Sequence, residues 1–86
     1  MKVIKITAVW CGACLIMNKI WNQITNEKEI ETISLDLDFD EEEANKYEPG
    51  EILPVFIFEK DGKEIKRIIG EHSKEEMLQV IEELGD

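Results

Sequence analysis

Apolar and polar positions change period several times along this chain, and each change marks an element. Val3 to Val9 is rich in Val, Ile and Thr, too short for a typical helix and suited to a buried strand, with Lys5 its odd member. From Cys14 onward, Met17, Ile20, Trp21 and Ile24 recur at helical spacing while Asn18, Lys19 and Asn22 take other faces, which predicts an amphipathic helix to about Lys28 with Trp21 in the core. Glu31 to Asp38 then alternates, with Ile33, Leu35 and Leu37 on one side and Thr32, Ser34, Asp36 and Asp38 on the other, as a second strand should. Strand, helix and strand in this order form a βαβ unit, whose right-handed crossover makes the two strands parallel.

The acids that follow have the alternate spacing of a calcium loop at Asp36, Asp38 and Asp40, but the sixth position is Glu41 where a glycine is needed and the twelfth is Tyr47 where a glutamate is needed. Asp40 to Glu43 therefore reads as the negatively charged first turn of a short helix, closed near Tyr47 by Glu48-Pro49-Gly50. Ile52 to Phe58 is a third strand with Pro54 near its start, where the missing N-H costs no ladder bond. Asp61-Gly62 is a two-residue hairpin turn that sends Lys63 to Ile69 back antiparallel. Ser73 and Glu76 are spaced as a capping box, opening a last helix through Leu84 with Met77, Leu78, Val80, Ile81 and Leu84 on its apolar face. His72 precedes the cap as an exposed loop residue.

Composition narrows the class. Eighty-six residues suffice for one domain with a single core, and a hydrophobic fraction of 43% is ordinary for a globular protein. No apolar run approaches the roughly 18 residues of a membrane span. Met1 to Ile6 carries lysines within an apolar alternation and lacks the features of a secretory signal, so a cytoplasmic location is expected. A net charge of -10 makes nucleic acid and anionic membrane surfaces poor partners, and basic or neutral proteins better ones.

Both cysteines lie in Trp10-Cys11-Gly12-Ala13-Cys14, where the first strand hands over to the long helix. Two thiols separated by two residues can close one small disulfide ring, and unpaired N-H groups at a helix start favour the thiolate of the outer one. A structural zinc site would need four ligands, and beyond this pair the chain offers only His72 of the usual nitrogen and sulfur donors. Inert buried thiols are the other alternative. Against it, Cys11 stands beside Gly12 at the end of a strand, where its side chain should reach the surface, with Cys14 more covered one turn on. A Cys-X-X-Cys pair beside a βαβ pattern points to redox chemistry, with Cys11 attacking and Cys14 resolving.

Three separated features carry a resemblance over essentially the whole chain. Trp10-Cys11-Gly12-Ala13-Cys14, Ile52-Leu53-Pro54, and Ile69-Gly70 before a capped terminal helix together resemble the thioredoxin family. The resemblance implies an α/β thioredoxin-like fold, β-α-β-α-β-β-α, with a four-stranded mixed sheet in the order second, first, third, fourth. The first and last helices would lie on one face and the acidic helix on the other, without the family's extra leading strand and helix. It also implies a cis bond before Pro54 and a substrate groove of Trp10, Gly12, Leu53, Pro54 and Gly70 around the catalytic Cys11 and Cys14. Protein disulfides would be the substrates, a separate disulfide reductase would recharge the chain, and a monomer with no cofactor beyond its own Cys11-Cys14 disulfide would suffice. Glutaredoxins have a similar size, but their Thr-Val-Pro segment and Gly-Gly turn are missing here. Two departures stand out: Ala13 replaces the usual proline between the cysteines, and Lys5 replaces the aspartate that the family buries six residues before the first cysteine. The Lys5 amine is expected to run out along the sheet to solvent.

Overall fold

The computed structural model describes residues 1–85, and its sheet is the frame on which the cysteine segment is mounted. Strands β1 (Lys2–Thr7), β2 (Glu31–Asp36), β3 (Val55–Lys60) and β4 (Lys63–Ile69) lie in the order β2-β1-β3-β4. β1 runs parallel to β2 and antiparallel to β3, and β3 is antiparallel to β4. Helix α1 (Gly12–Glu27) joins β1 to β2, the five-residue α2 (Glu41–Asn45) follows β2, and α3 (Lys74–Glu83) closes the chain.

The period-two alternation of β1 divides the core between the two faces of the sheet. Val3 joins Phe56, Phe58 and Ile68 beneath Met17, Trp21 and Ile24 of α1 and Met77 and Ile81 of α3. Ile4 and Ile6 point the other way, to Val55, Ile57, Leu53 and Ala44 of α2. The first and last helices thus share one face and the acidic helix covers the other, as the resemblance implied. Trp21 anchors the larger cluster. Its ring is tilted against Phe56 at 5.1 Å and edge-on to Phe58 at 6.2 Å, and its Nε1 donates to Thr32 Oγ1 at 3.0 Å, so the one polar atom of the indole is satisfied.

Several boundaries differ from the sequence expectation. α1 begins two residues earlier than its apolar repeat, because Cys11 itself is the N-cap. β2 stops at Asp36, short of Asp38. There the Asp36 carboxylate accepts from the Asp38 and Phe39 amides, and the Asp40 carboxylate accepts from the Asp36 amide, which bends the chain away from the ladder. β2 is also an edge strand, so its apolar side is only partly covered and Ile33 is 37% exposed. β3 begins at Val55 instead of Ile52, just after the cis Leu53-Pro54 bond; a proline has no N-H to give to a ladder.

Lys5 requires a correction. Its stem is more covered than a lysine running out along the sheet would need: the residue is 9% exposed, the one buried charged residue among those described, while its amine nitrogen is not among the fully buried polar atoms without a partner. It stands mid-strand in a central strand, facing Ser34 on one side and Phe56 on the other, with α1 packed over that face.

The Asp61-Gly62 turn is as expected, with positive φ at both residues (53° and 77°), the geometry of the tightest hairpins. The capping box is complete: Ser73 Oγ accepts from the Glu76 amide at 3.1 Å and Glu76 Oε1 from the Ser73 amide at 3.0 Å. These bonds, with the His72 ring beside it, hold the Glu76 carboxyl below its ordinary value of 4.5. A carboxylate depressed on folding stabilises the protein above its unfolded pKa, and that contribution is lost as pH falls through the folded one. S73A is expected to cost about 1 kcal/mol in chemical denaturation at neutral pH. Because S73A keeps the Ser73 amide bond to Glu76 but removes the Ser73 side-chain contribution to its depression, slightly less of its stability should be lost on acidification below pH 4.5. Equal acid sensitivity in variant and wild type would show that the cap does not tune Glu76.

Candidate active site

The segment from Ala8 to Cys14 is a tight turn into a helix. The Cys11 amide donates to the Ala8 carbonyl at 3.1 Å, which reverses the chain at the end of β1, and Cys11 keeps extended backbone (φ −93°, ψ 110°) as the N-cap of α1. In that position its side chain does what a serine or aspartate cap does. Cys11 Sγ accepts from the Cys14 amide at 3.2 Å. The sulfur therefore sits at the positive end of α1, whose first turn carries no acidic side chain to compete for that field.

Both cysteines are free thiols, and both are buried. Cys11 is 9% exposed and Cys14 1%. The expected order is therefore present, but Cys11 does not stand out at the surface as anticipated. Its inward turn to the Cys14 amide, and packing in the cluster of Ala8, Leu53 and Val55, account for the difference. Burial pushes the Cys14 thiol up to about 12, with its hydrogen bond to Cys11 adding to the rise and the Ala8 backbone and the Lys5 charge opposing it. Cys14 at rest is a neutral thiol.

The remaining predicted residues arrive from three elements. Leu53 and Pro54 lie before β3, both buried, with Leu53 in the same cluster as the cysteines. Gly70 follows β4 at φ 86°, and its amide donates to the Pro54 carbonyl at 2.9 Å, tying the end of β4 to the proline loop. A Cβ at Gly70 would stand 3.6 Å from Ile52 Cγ2, so Gly70 and the Leu53-Pro54 loop form one continuous surface. Gly12 has open space around it, and Trp10 is 63% exposed.

Two features were not foreseen. Asp38, read in the sequence as the solvated side of a strand, accepts from Trp10 Nε1 at 2.9 Å and fixes the exposed indole. It could not be found from spacing, because the contact spans 28 positions and depends on the turn that ends β2. The second is an apolar rim: Val9, Ile52 and Ile69 join Trp10 among the exposed large hydrophobic residues, each adjacent in sequence to a site residue. Half-buried His72 lies on the loop before α3, with its ring nitrogens near Ile69 O at 3.1 Å and Glu76 Oε2 at 3.4 Å.

A family model described as Thioredoxin matches residues 1–83. The chain belongs to the thioredoxin family. Its similarity to solved thioredoxins extends over the fold: the Fasciola hepatica thioredoxin structure is 32% identical, with a TM-score of 0.85 over 95% of this chain and 78% of that one. The reduced Schistosoma mansoni thioredoxin gives 26% identity and a TM-score of 0.84 over 95% of this chain and 76% of that one. Among curated thioredoxins, H-type 1 of Nicotiana tabacum is 40% identical over 80 residues, 92% of this chain and 62% of its own length. Thioredoxin of Mycobacterium tuberculosis is 33% identical over 81 residues, 92% of this chain and 66% of its own length. The chain thus spans somewhat under two thirds of these curated thioredoxins.

Proposed function

We propose that this thioredoxin-family protein reduces protein disulfides by dithiol-disulfide exchange. The observation that carries the reading is the Cys14 amide donating to Cys11 Sγ at the start of α1, which places a helix-capped sulfur one turn from a second thiol. Cys11 as thiolate attacks one sulfur of a substrate disulfide, and the other substrate sulfur leaves with the electron pair. Cys14 then attacks Cys11 Sγ, the bond to the substrate breaks, and the reduced substrate departs. Two electrons pass to the substrate and the chain is left with the Cys11-Cys14 disulfide. No cofactor takes part; a separate disulfide reductase returns the pair to thiols, in a compartment such as the cytoplasm that keeps thiols reduced. The protein acts as a monomer, with an extended substrate segment lying along Trp10, Gly12, Leu53, Pro54 and Gly70. A surface of net charge -10 favours neutral or basic substrates.

Two measurements test this. Mild oxidation should lower the mass by two protons, and C14S should accumulate as a covalent adduct with a disulfide-bonded protein substrate that reductant releases. Failure of both, an unchanged mass and no adduct, would overturn the reading.

A further inference from the structure

The active-site surface continues past Gly70 along the outer edge of the sheet. Ile69, part of the apolar rim, also lines a groove of about 370 Å³ between β4 and α3, whose apolar walls include Ile68, Met77 and Val80. β4 is an edge strand, and among the described residues no further strand pairs with its outer N-H and C=O groups. Its register pairs Lys66 with Phe58 and Glu64 with Glu59, which leaves Ile65 as an extra residue. Such a bulge twists the edge and interrupts regular pairing, so the straight run open to a partner is Lys66 to Ile69.

Most charged groups around the groove already have partners. Arg67 donates to the two Glu64 carboxylate oxygens at 2.9 and 2.8 Å and to the Glu48 carbonyl at 3.0 Å. His72 Nδ1 and Glu76 Oε2 face each other at 3.4 Å. Lys66 is exposed and enters none of the ion pairs among the described residues, in a chain of net charge -10. Strand alternation puts it on the same side as Ile68, the side that packs against α3. An apolar surface and an uncommitted ammonium thus follow one another about 7 Å apart along one strand.

Resting on the exchange proposed above, we infer that the groove between β4 and α3 is a second docking site for protein substrates, taking an extended segment near the disulfide that carries a large apolar side chain and, two residues away, a carboxylate. The segment adds to β4 as a short strand, its backbone pairing with the outer edge of Lys66 to Ile69. The side chain opposite Ile68 fills the groove against Met77 and Val80, and the carboxylate opposite Lys66 meets the ammonium. Two observations select this occupant. The groove is continuous with the substrate surface at Ile69-Gly70, where the Gly70 amide is tied to Pro54, so one substrate can occupy both. The free Lys66 complements an acid, and a single carboxylate there is compatible with a neutral or basic substrate, because that preference is set by the whole surface and this contact is local. A second copy of the chain would bring a further net charge of -10 to the contact and is disfavoured.

The probes are a peptide with an intramolecular disulfide, the same peptide extended through a Gly-Ser linker by the arm Thr-Phe-Thr-Glu-Thr, and the arm alone, which has no cysteine. In the wild type the arm should raise kcat/KM roughly tenfold, chiefly through KM, the size expected for one largely buried aromatic side chain. Serine in place of the arm's phenylalanine should remove most of the gain. K66E should lose much of it as well, and lysine in place of the arm's glutamate should restore it in K66E while lowering it in the wild type. In amide NMR spectra the arm alone should shift Lys66 to Ile69, Met77 and Val80. An arm that leaves kcat/KM unchanged, a gain that charge reversal does not exchange between wild type and K66E, or shifts confined to Trp10, Leu53 and Gly70 would overturn the second site. A wild type that does not reduce the plain disulfide peptide would instead overturn the exchange reaction, and the shifts caused by the cysteine-free arm would still decide whether the groove binds it.

Discussion

C11S is expected to lose disulfide reduction by at least about a thousandfold, because the hydroxyl that replaces the helix-capping sulfur has no accessible anion near neutral pH and both steps of the exchange run through that atom. The fold should survive, since serine caps helices well and can accept from the Cys14 amide as Cys11 Sγ does. C14S should fail differently. Its first step should proceed at close to the wild-type rate and its second should stop, leaving covalent adducts on Cys11. The pair of variants therefore separates attack from resolution. Turnover of a disulfide-bonded peptide, followed by thiol release, checks the first variant, and mass spectrometry of the adduct checks the second. Adducts that form on Cys14 in C11S as fast as on Cys11 in C14S would reverse the assignment, against the burial order of 9% and 1%.

The largest expected loss of stability is at Trp21. W21A removes a fully buried indole, its contacts with Phe56 and Phe58 at 5.1 and 6.2 Å, and the donor to Thr32 Oγ1. Large-to-small substitutions of this kind cost about 3–5 kcal/mol. Domains of this size have total stabilities on the order of 5–15 kcal/mol, so the variant should be poorly folded. Where it does fold, the midpoint should fall by roughly 15–30 °C. W21F keeps most of the aromatic packing but leaves the Thr32 hydroxyl without its donor, and should lose clearly less than W21A. Urea denaturation of both variants measures the difference. A loss below about 1 kcal/mol in W21A would mean that the α1 face is not the anchor of the larger cluster.

These expectations share a physical basis in how α1 is held. Trp21, Ile24 and Met17 fasten the helix to the sheet through its buried face, and the same rigid attachment presents Cys11 at the helix start with Cys14 one turn on. Substitutions that loosen the attachment should therefore reach the thiols as well as the stability.

What the sequence determined by itself lies in short-range rules. The period of three and four that placed Met17, Trp21 and Ile24 inward, the positive-φ demand that Asp61-Gly62 satisfies, the Ser73–Glu76 box and the parallel βαβ unit each depend on residues close together in the chain. They specified the order of elements and the location of the Cys-X-X-Cys pair. The placement of Leu53, Pro54 and Gly70 beside it was legible through family resemblance alone, since no local rule joins positions so far apart. Tertiary structure decided the rest. β2 ends early because the Asp36 and Asp40 carboxylates take backbone amides out of the ladder, and an edge strand leaves Ile33 37% exposed. Asp38 meets Trp10 only because that turn brings it back to the start of α1. Lys5 is only 9% exposed because β1 is central, with a strand on each side and a helix across its face. Burial and long-range charge depend on which surfaces come together, and that is what lowers the Lys5 pKa and pushes the Cys14 thiol up.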